Sequence, residues 1–158
     1  VLMVEKINLD LHKTAGEAEH KLAKIGADKI LEAIDLIRNN QANFIPQNDL
    51  EATYAKKIKK EDEKIEWNQD ARKIIAQIHG LNPRPGAYFE HKGEKIKIWR
   101  ATHSEETGKP GLVINSSLQV ACGTASIKIE EIQRPGKKIQ KTKEFLLGFS
   151  IPNNTQLD

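Results

Sequence analysis

The sequence predicts an α+β chain, because helical and extended periodicities occupy different parts of it. Apolar residues recur every three or four positions through residues 15–38 and again through residues 71–81, which indicates two amphipathic helices. From Gly86 onward, apolar and polar residues alternate in several short runs, which indicates strands of a sheet with one buried face. The second half of the chain therefore combines a helix with several short strands.

Residues 1–38 are predicted to form a strand over residues 1–9 and then a helix. Thr14 and Glu17 match the capping box that starts a helix. The apolar face of this helix is formed by Leu22, Ile25, Ile30, Ile34 and Ile37. One strand and one helix cannot form a sheet and its cover by themselves. We therefore expect this segment to end an α/β domain whose sheet lies upstream, and the chain to be a piece of a longer polypeptide.

Residues 39–50 are polar, contain Pro46, and are predicted to be a linker. The following domain, residues 51–158, should contain a helix that Asn68 caps. The apolar face of this helix, which should pack in the core, is formed by Ala71, Ile74, Ile75, Ile78 and Leu81. Gly80 suits the left-handed position after a helix, and Pro83 cannot continue that helix.

Alternating runs predict strands at residues 94–100, 111–114, 118–122 and 126–129. A short helix over residues 142–147 follows them. Several short strands with one packed helix are typical of a small barrel of the OB type. We therefore expect an OB-like β-barrel with a packed helix in residues 51–158.

Composition restricts the function only loosely. Residues 1–50 carry 6 Lys and Arg against 8 Asp and Glu, whereas residues 51–158 carry 19 against 14. A basic second half favours a polyanionic partner. No apolar run is long enough to span a bilayer, so no membrane association is predicted. The single Cys122 excludes an internal disulfide, which favours a cytoplasmic location.

Clusters of cations are the candidate RNA-binding residues, since cations beside an aromatic on a strand face suit backbone contact and base stacking. The candidates are Lys56, Lys57, Lys59, Lys60, Arg84, Lys95, Lys97, Trp99, Arg100, Lys137, Lys138 and Lys141. Two other interpretations stay open. The acidic run from Glu61 to Glu63 could neutralise the first cluster, and Trp99 could be a packing residue of the barrel.

No catalytic residue is predicted in this chain. Acid–base catalysis needs a positioned proton acceptor, and a negatively charged intermediate needs hydrogen-bond donors that stabilise it. None of the five histidines has a carboxylate and an amide beside it in the sequence, and capping or packing is the simplest role for His79. His and Cys spacing predicts no metal site.

The chain resembles the C-terminal part of the bacterial methionyl-tRNA formyltransferases. The matching segments are Leu9 with Thr14 to Ala23 and Gly26, Thr53 to Lys57, Ile65 to Trp67, Leu81 to Pro83 with Pro85 to Ala87, Ile96 to Trp99, Pro110 with Gly111, Val120 to Gly123, Gln133 with Gly136 to Lys138, and Glu144 to Leu146 with Gly148. Two positions depart from the family pattern. Arg84 replaces an aromatic between the prolines, and residues 124–126 replace an acidic residue followed by Gly.

The resemblance implies a two-domain parent enzyme, in which a Rossmann-like catalytic domain that ends with residues 1–38 is followed by an OB-like domain. Such an enzyme transfers the formyl group of 10-formyltetrahydrofolate to the amino group of methionyl initiator tRNA. It implies that the catalytic Asn, His and Asp lie in the upstream catalytic domain of the same polypeptide, and that this chain binds no cofactor. Residues 51–158 would be the tRNA-binding domain of a monomeric protein.

Two rival functions remain open at this point. One is the C-terminal domain of another folate-dependent formyltransferase, acting on a sugar nucleotide, or of a hydrolase of the same superfamily. The other is a barrel that docks protein partners and does not bind RNA.

Overall fold

The structure, a computed structural model, describes all of residues 1–158. The chain forms two compact units, residues 1–10 with 16–57 and residues 11–15 with 58–158. The predicted division into residues 1–38, a linker over residues 39–50 and a domain over residues 51–158 stays a prediction. Residues 51–57 contribute no buried side chain, and the core of the second unit begins at Ile65.

The first unit is built on helix α1, Ala15–Arg38, which has the predicted bounds. The strand predicted at residues 1–9 is wrong, because this segment has no strand conformation. Val1 exchanges two backbone hydrogen bonds with Ile45, but a strand needs a neighbouring strand along its length, and this unit has none. No residue of α1 is buried, and its apolar face stays accessible, with Ile30 58% exposed.

The second unit contains helices α2, Ala71–Gly80, and α3, Thr142–Gly148. The cap of α2 is Asp70 rather than Asn68, since the Asp70 carboxylate accepts from the backbone amide of Arg72 at 2.8 Å. The same carboxylate accepts from the Thr124 hydroxyl, and this hydrogen bond lowers the pKa of Asp70. Asp70 thus joins the start of α2 to the 122–126 turn.

Six strands form one antiparallel sheet. They are β1 Ala87–His91, β2 Glu94–Ser104, β3 Val113–Asn115, β4 Gln119–Ala121, β5 Ser126–Gln133 and β6 Gln140–Lys141. The order is β1-β2-β5-β4-β3, and β6 pairs with the end of β5. The sheet curls into a half-barrel, which confirms the predicted OB-like architecture with a packed helix. No helix is long and apolar enough to cross a membrane.

Helix α2 contacts β2 and β5 on the inner side of the sheet. The five residues predicted as its apolar face are all buried, as are Ile96 and Ile98 on β2. Gly80 remains inside the helix, and the left-handed glycine is Gly86, with φ of 90° at the start of β1. The 82–86 corner between them contains two cis peptide bonds, Asn82–Pro83 and Arg84–Pro85.

His79 is a structural residue, in agreement with its predicted packing role. Its side chain is 4% exposed and bridges two backbone groups. Nδ1 lies 2.6 Å from the carbonyl oxygen of Leu11, and Nε2 accepts from the amide of Ala101 at 3.3 Å. A carbonyl can only accept, so the proton resides on Nδ1. His79 therefore ties the 11–15 segment to β2 as a neutral ring.

Gly123→Ala is expected to destabilise the second unit by about 2 kcal/mol, within the range typical of overpacking. A Cβ on Gly123 would overlap the backbone carbonyl of Asn68, which cannot move because Gly123 donates to the neighbouring Gln69 carbonyl at 2.8 Å. Urea unfolding measures the loss. Gly80→Ala is the matched control, since its Cβ meets nothing within 4 Å, and an equal loss there would contradict the packing argument.

His79→Ala is expected to lower the free energy of unfolding by about 1–3 kcal/mol, because the Leu11 carbonyl and the Ala101 amide lose their partner. Nitrogen NMR of the native protein should report the Nδ1-protonated tautomer. Observation of the Nε2-protonated form would refute the bridging geometry.

Candidate nucleic-acid interface

A cationic groove lies on the outer face of the sheet, where β2 and β5 pair. Its cavity of about 310 Å³ is lined by Lys95, Lys97, Gln133, Arg134, Pro135 and Gly136. The alternation of β2 creates it: Ile96 and Ile98 point to the core, so Lys95 and Lys97 point outward. We name this cavity the β2–β5 groove.

Both lysines of the groove are held by uncharged oxygen atoms. Lys95 donates to the Tyr88 hydroxyl at 3.1 Å, with its ammonium 4.5 Å from the Tyr88 ring centre. This hydrogen bond raises the pKa of Lys95. Lys97 donates to the carbonyl oxygen of Pro85 at 2.6 Å. Neither lysine forms an ion pair, so their positive charges are not neutralised within the protein.

Trp99 packs into the fold and does not present a stacking surface. The side chain is 7% exposed, and its Nε1 donates to Gln133 at 2.9 Å. The ring lies so close to Gly86 that a Cβ there would come within 2.7 Å of it. A bulge after Ile98 interrupts the alternation of β2 at this point. Of the two interpretations of Trp99, the structure supports packing, and base stacking is not available to it.

Arg134 forms a wall of the groove and is held on two sides. Its guanidinium makes a two-pronged ion pair with Glu94, at 2.6 and 2.9 Å. It also lies 4.3 Å from the centre of the Phe149 ring. The ion pair lowers the pKa of Glu94. A planar guanidinium held in this way is a fixed donor rather than a mobile charge.

A second cationic cavity, of about 290 Å³, shares Arg134 with the β2–β5 groove. Its lining also contains Lys137, Lys138, Phe145, Phe149 and one acidic residue, Glu144, and we name it the Phe149 cavity. The 134–137 turn brings these lysines into place, because the amide of Lys137 donates to the Arg134 carbonyl. Lys137 and Lys138 are exposed and form no ion pair. The two cavities thus place the predicted residues Lys95, Lys97, Lys137 and Lys138 around Arg134.

The remaining predicted residues lie elsewhere. Lys56 and Lys57 are exposed residues of the first unit, and Arg84 is exposed at the 82–86 corner. Lys59 pairs with Glu61 at 3.2 Å, so the acidic run does neutralise part of its cluster, and Lys60 starts the short 3₁₀ helix Lys60–Glu63.

Arg100 and Lys141 both face Glu131, with nitrogen–oxygen distances of 3.7 and 2.7 Å. Their charges are therefore partly neutralised within the fold. Arg100 and Lys141 should therefore attract an anionic ligand less strongly than the unpaired lysines Lys97, Lys137 and Lys138 do.

Arg134 and its two partners are features of the candidate site that the sequence did not reveal. The sequence assigns Arg134-Pro135-Gly136 only to a turn. The feature of the sequence that could have indicated Arg134 is the position of this turn, directly before the two lysines Lys137 and Lys138. Nothing in the sequence indicates Glu94 or Phe149, because both meet Arg134 only through the pairing of distant strands and the position of the segment after α3.

The side chains with intrinsic nucleophilic or metal-binding chemistry are not assembled into a site. Cys122 is buried, and burial raises the pKa of its thiol to about 12, so it is a neutral packing residue. The described residues contain no cluster of three His, Cys, Asp or Glu side chains able to hold a metal ion.

The fold and these cavities define an OB-like domain with a cationic outer face. The family model described as "Formyl transferase, C-terminal domain" matches residues 57–150. The chain therefore belongs to the formyl transferase C-terminal domain family, and the resemblance stated from its motifs is confirmed.

Curated relatives carry the name methionyl-tRNA formyltransferase. The protein of Pelagibacter ubique is 42% identical over 138 residues, which cover 87% of this chain and 44% of the relative. The protein of Carboxydothermus hydrogenoformans is 42% identical over 154 residues, covering 94% and 50%. The chain thus spans about half the length of the curated relatives it matches.

Solved structures of HypX from Aquifex aeolicus have a similar fold. One variant superposes with a TM-score of 0.66 at 18% identity and covers 89% of this chain and 27% of HypX. A HypX complex with tetrahydrofolic acid superposes with a TM-score of 0.57 at 21% identity, covering 74% and 22%. At this level of identity the likeness concerns the fold alone.

The Glu94 carboxyl is expected to titrate below its ordinary value of 4.5, since the Arg134 ion pair stabilises the charged form. The contribution of the Arg134–Glu94 ion pair to the free energy of unfolding should be fully present above the ordinary pKa of Glu94. It should disappear as the pH falls through the lowered pKa of Glu94 in the folded protein. Carbon NMR of the side chain measures the titration. Arg134→Gln should return the pKa towards 4.5, and an unchanged pKa in that variant would show that Arg134 is not the cause.

Proposed function

We propose that this chain is the C-terminal part of a methionyl-tRNA formyltransferase and that its OB-like unit binds initiator methionyl-tRNA. The parent enzyme would transfer the formyl group of 10-formyltetrahydrofolate to the methionyl amino group, in the cytoplasm and as a monomer. Family membership and the names of the curated relatives support this assignment.

The observation that carries the proposal is the set of cations without carboxylate partners around Arg134. Lys97, Lys137 and Lys138 form no ion pair, and each is positioned by the strand or turn that bears it. Such cations bind phosphate groups at fixed positions without reading base sequence. Because Trp99 is buried, this face offers phosphate contacts rather than stacking. The domain would thus hold tRNA by its backbone.

The contribution to the reaction would be positional. An upstream catalytic domain would supply the Asn, His and Asp that act on the formyl donor, and this domain would hold the tRNA so that its amine reaches that donor. Helix α1 fits such an arrangement, since its exposed apolar face requires a covering partner. We assign residues 1–38 to the end of the catalytic domain, which would cover that face in the intact enzyme.

The other predicted cations receive graded roles under this proposal. Arg84, Lys56, Lys57 and Lys60 are exposed and would add weaker contacts to the phosphate backbone. Lys59, Arg100 and Lys141 would contribute least, because carboxylates already oppose their charges.

Binding of initiator tRNA to this chain should weaken steeply with salt. For about four phosphate contacts, affinity should fall roughly 100-fold between 50 and 200 mM salt, because displaced counterions recondense on the RNA. Filter binding over that range measures the slope of log K against log salt. Affinity that is independent of salt would exclude the proposed binding mode.

Single lysine-to-glutamine variants identify which residues make the proposed phosphate contacts with tRNA. Lys97→Gln, Lys137→Gln and Lys138→Gln should each reduce the magnitude of the slope by about 1. Lys29→Gln is the matched control, since it removes the same charge from a lysine already paired with Glu32 at 2.9 Å. A slope that changes as much in the control as in the groove variants would attribute binding to net charge alone.

A further inference from the structure

A separate groove lies between the 115–118 turn, strand β5 and helix α3. Its cavity of about 590 Å³ is lined by Ser116, Ser117, Lys128, Glu130, Lys143 and Leu146, among others. It shares no lining residue with the β2–β5 groove or the Phe149 cavity. We name it the α3 groove, and of the proposed tRNA contacts only Lys141, whose charge Glu131 already opposes, lines it.

The floor of the α3 groove is apolar. Ile129 and Leu146 line it, and Leu146 is half-buried against the core. Beside Leu146, Leu147 is 87% exposed although it is a large aliphatic residue. Lys143 lies three and four positions before these leucines, so all three side chains share one face of α3. This face therefore combines a cation with two aliphatic groups.

The rim of the α3 groove has unneutralised positive charge. Lys128 on β5 and Lys143 on α3 are exposed and form no ion pair. The third lysine, Lys141, is occupied by Glu131 at 2.7 Å. The lining contains one acidic residue, Glu130, which accepts a hydrogen bond from Thr102 at 3.2 Å and keeps its charge, so the two unpaired lysines outnumber it. Two free ammonium groups thus lie on opposite walls above the apolar floor.

The wall opposite α3 is rigid. The Asn115 side-chain oxygen accepts from both the amide and the hydroxyl of Ser117, at 3.0 and 2.7 Å. The Asn115 amide group donates to Gln119 at 2.9 Å. Gln119 is buried and donates in turn to Ser104 and Ser126. A wall fixed by this network loses little entropy when a ligand binds.

We propose that the α3 groove is a docking site for an acidic peptide segment of a protein partner. Two carboxylates of the segment would meet Lys128 and Lys143, and an aliphatic or aromatic side chain would cover Leu146 and Leu147. RNA fits the groove less well. Its backbone has no apolar anchor for the leucines, and no aromatic or arginine side chain lines the groove to stack a base.

The probe is a blocked peptide of composition Glu-Glu-Leu-Phe-Glu-Glu, titrated into the isotopically labelled chain and followed by amide chemical shifts. Shifts should concentrate at Ser117, Lys128, Lys143 and Leu147, with saturable binding in the high-micromolar to millimolar range. Two control peptides separate the contributions, one with Gln in place of Glu and one with Ser in place of Leu and Phe. Both should bind more weakly than the probe.

Variants at exposed positions test the groove without disturbing the core. Lys128→Glu and Lys143→Glu should each weaken peptide binding roughly two- to fivefold, the scale of exposed charge pairs. Leu147→Ser should weaken it roughly threefold or more through lost apolar contact. Lys109→Glu is the matched control, because Lys109 is an exposed lysine outside the groove lining, and it should have no local effect.

Three results would overturn the proposal. The peptide could cause no shifts at the groove, its binding could be as sensitive to Lys109→Glu as to Lys128→Glu, or a short RNA duplex could shift the same amides while the peptide does not. The last result would assign the groove to nucleic acid. The principal tRNA contacts proposed above, Lys97, Lys137 and Lys138, lie outside the α3 groove, so the salt dependence of tRNA binding and the peptide titration test separate proposals.

Discussion

The packing of α2 against the inner side of the sheet is the constraint on which the proposed binding surface depends. Burial of Ile96 and Ile98 against the helix side of the sheet fixes the register of β2. With the inner positions taken, Lys95 and Lys97 have to point outward beside β5. A shift of one residue would bury both ammonium groups, which is strongly unfavourable. The hydrophobic core thereby sets the pattern of charge on the opposite face.

Ion pairing within the fold divides the cations into two kinds. Glu131 opposes Arg100 and Lys141, and Glu61 opposes Lys59, so these charges already have protein partners. Lys97, by contrast, is held by the carbonyl oxygen of Pro85 and lies over the Trp99 ring, and it has no carboxylate partner. A cation positioned by a neutral oxygen keeps its charge for a ligand, and the surrounding cavity is preorganised to receive one.

Local patterns were sufficient to predict α2 and β2, whereas contacts between distant segments were not predictable. The periodicity of α2 and the alternation of β2 gave their type and their buried faces correctly, since both depend on side chains close in sequence. The strand at residues 1–9 was mispredicted because extended propensity does not supply a pairing partner. The cap at Asp70 depends on Thr124, and the position of Arg134 depends on Glu94 and Phe149. These partners lie far apart in sequence, so no local pattern indicates them.

Arg134 lines both the β2–β5 groove and the Phe149 cavity, so a change at this side chain affects both cavities. Its guanidinium is part of the wall of both, and it is braced by Glu94 on one side and by Phe149 on the other. An occupant that displaces this group in one cavity must reshape its neighbour. With such a displacement, occupation of the two cavities would be thermodynamically linked, and the coupling free energy would be the same in both directions.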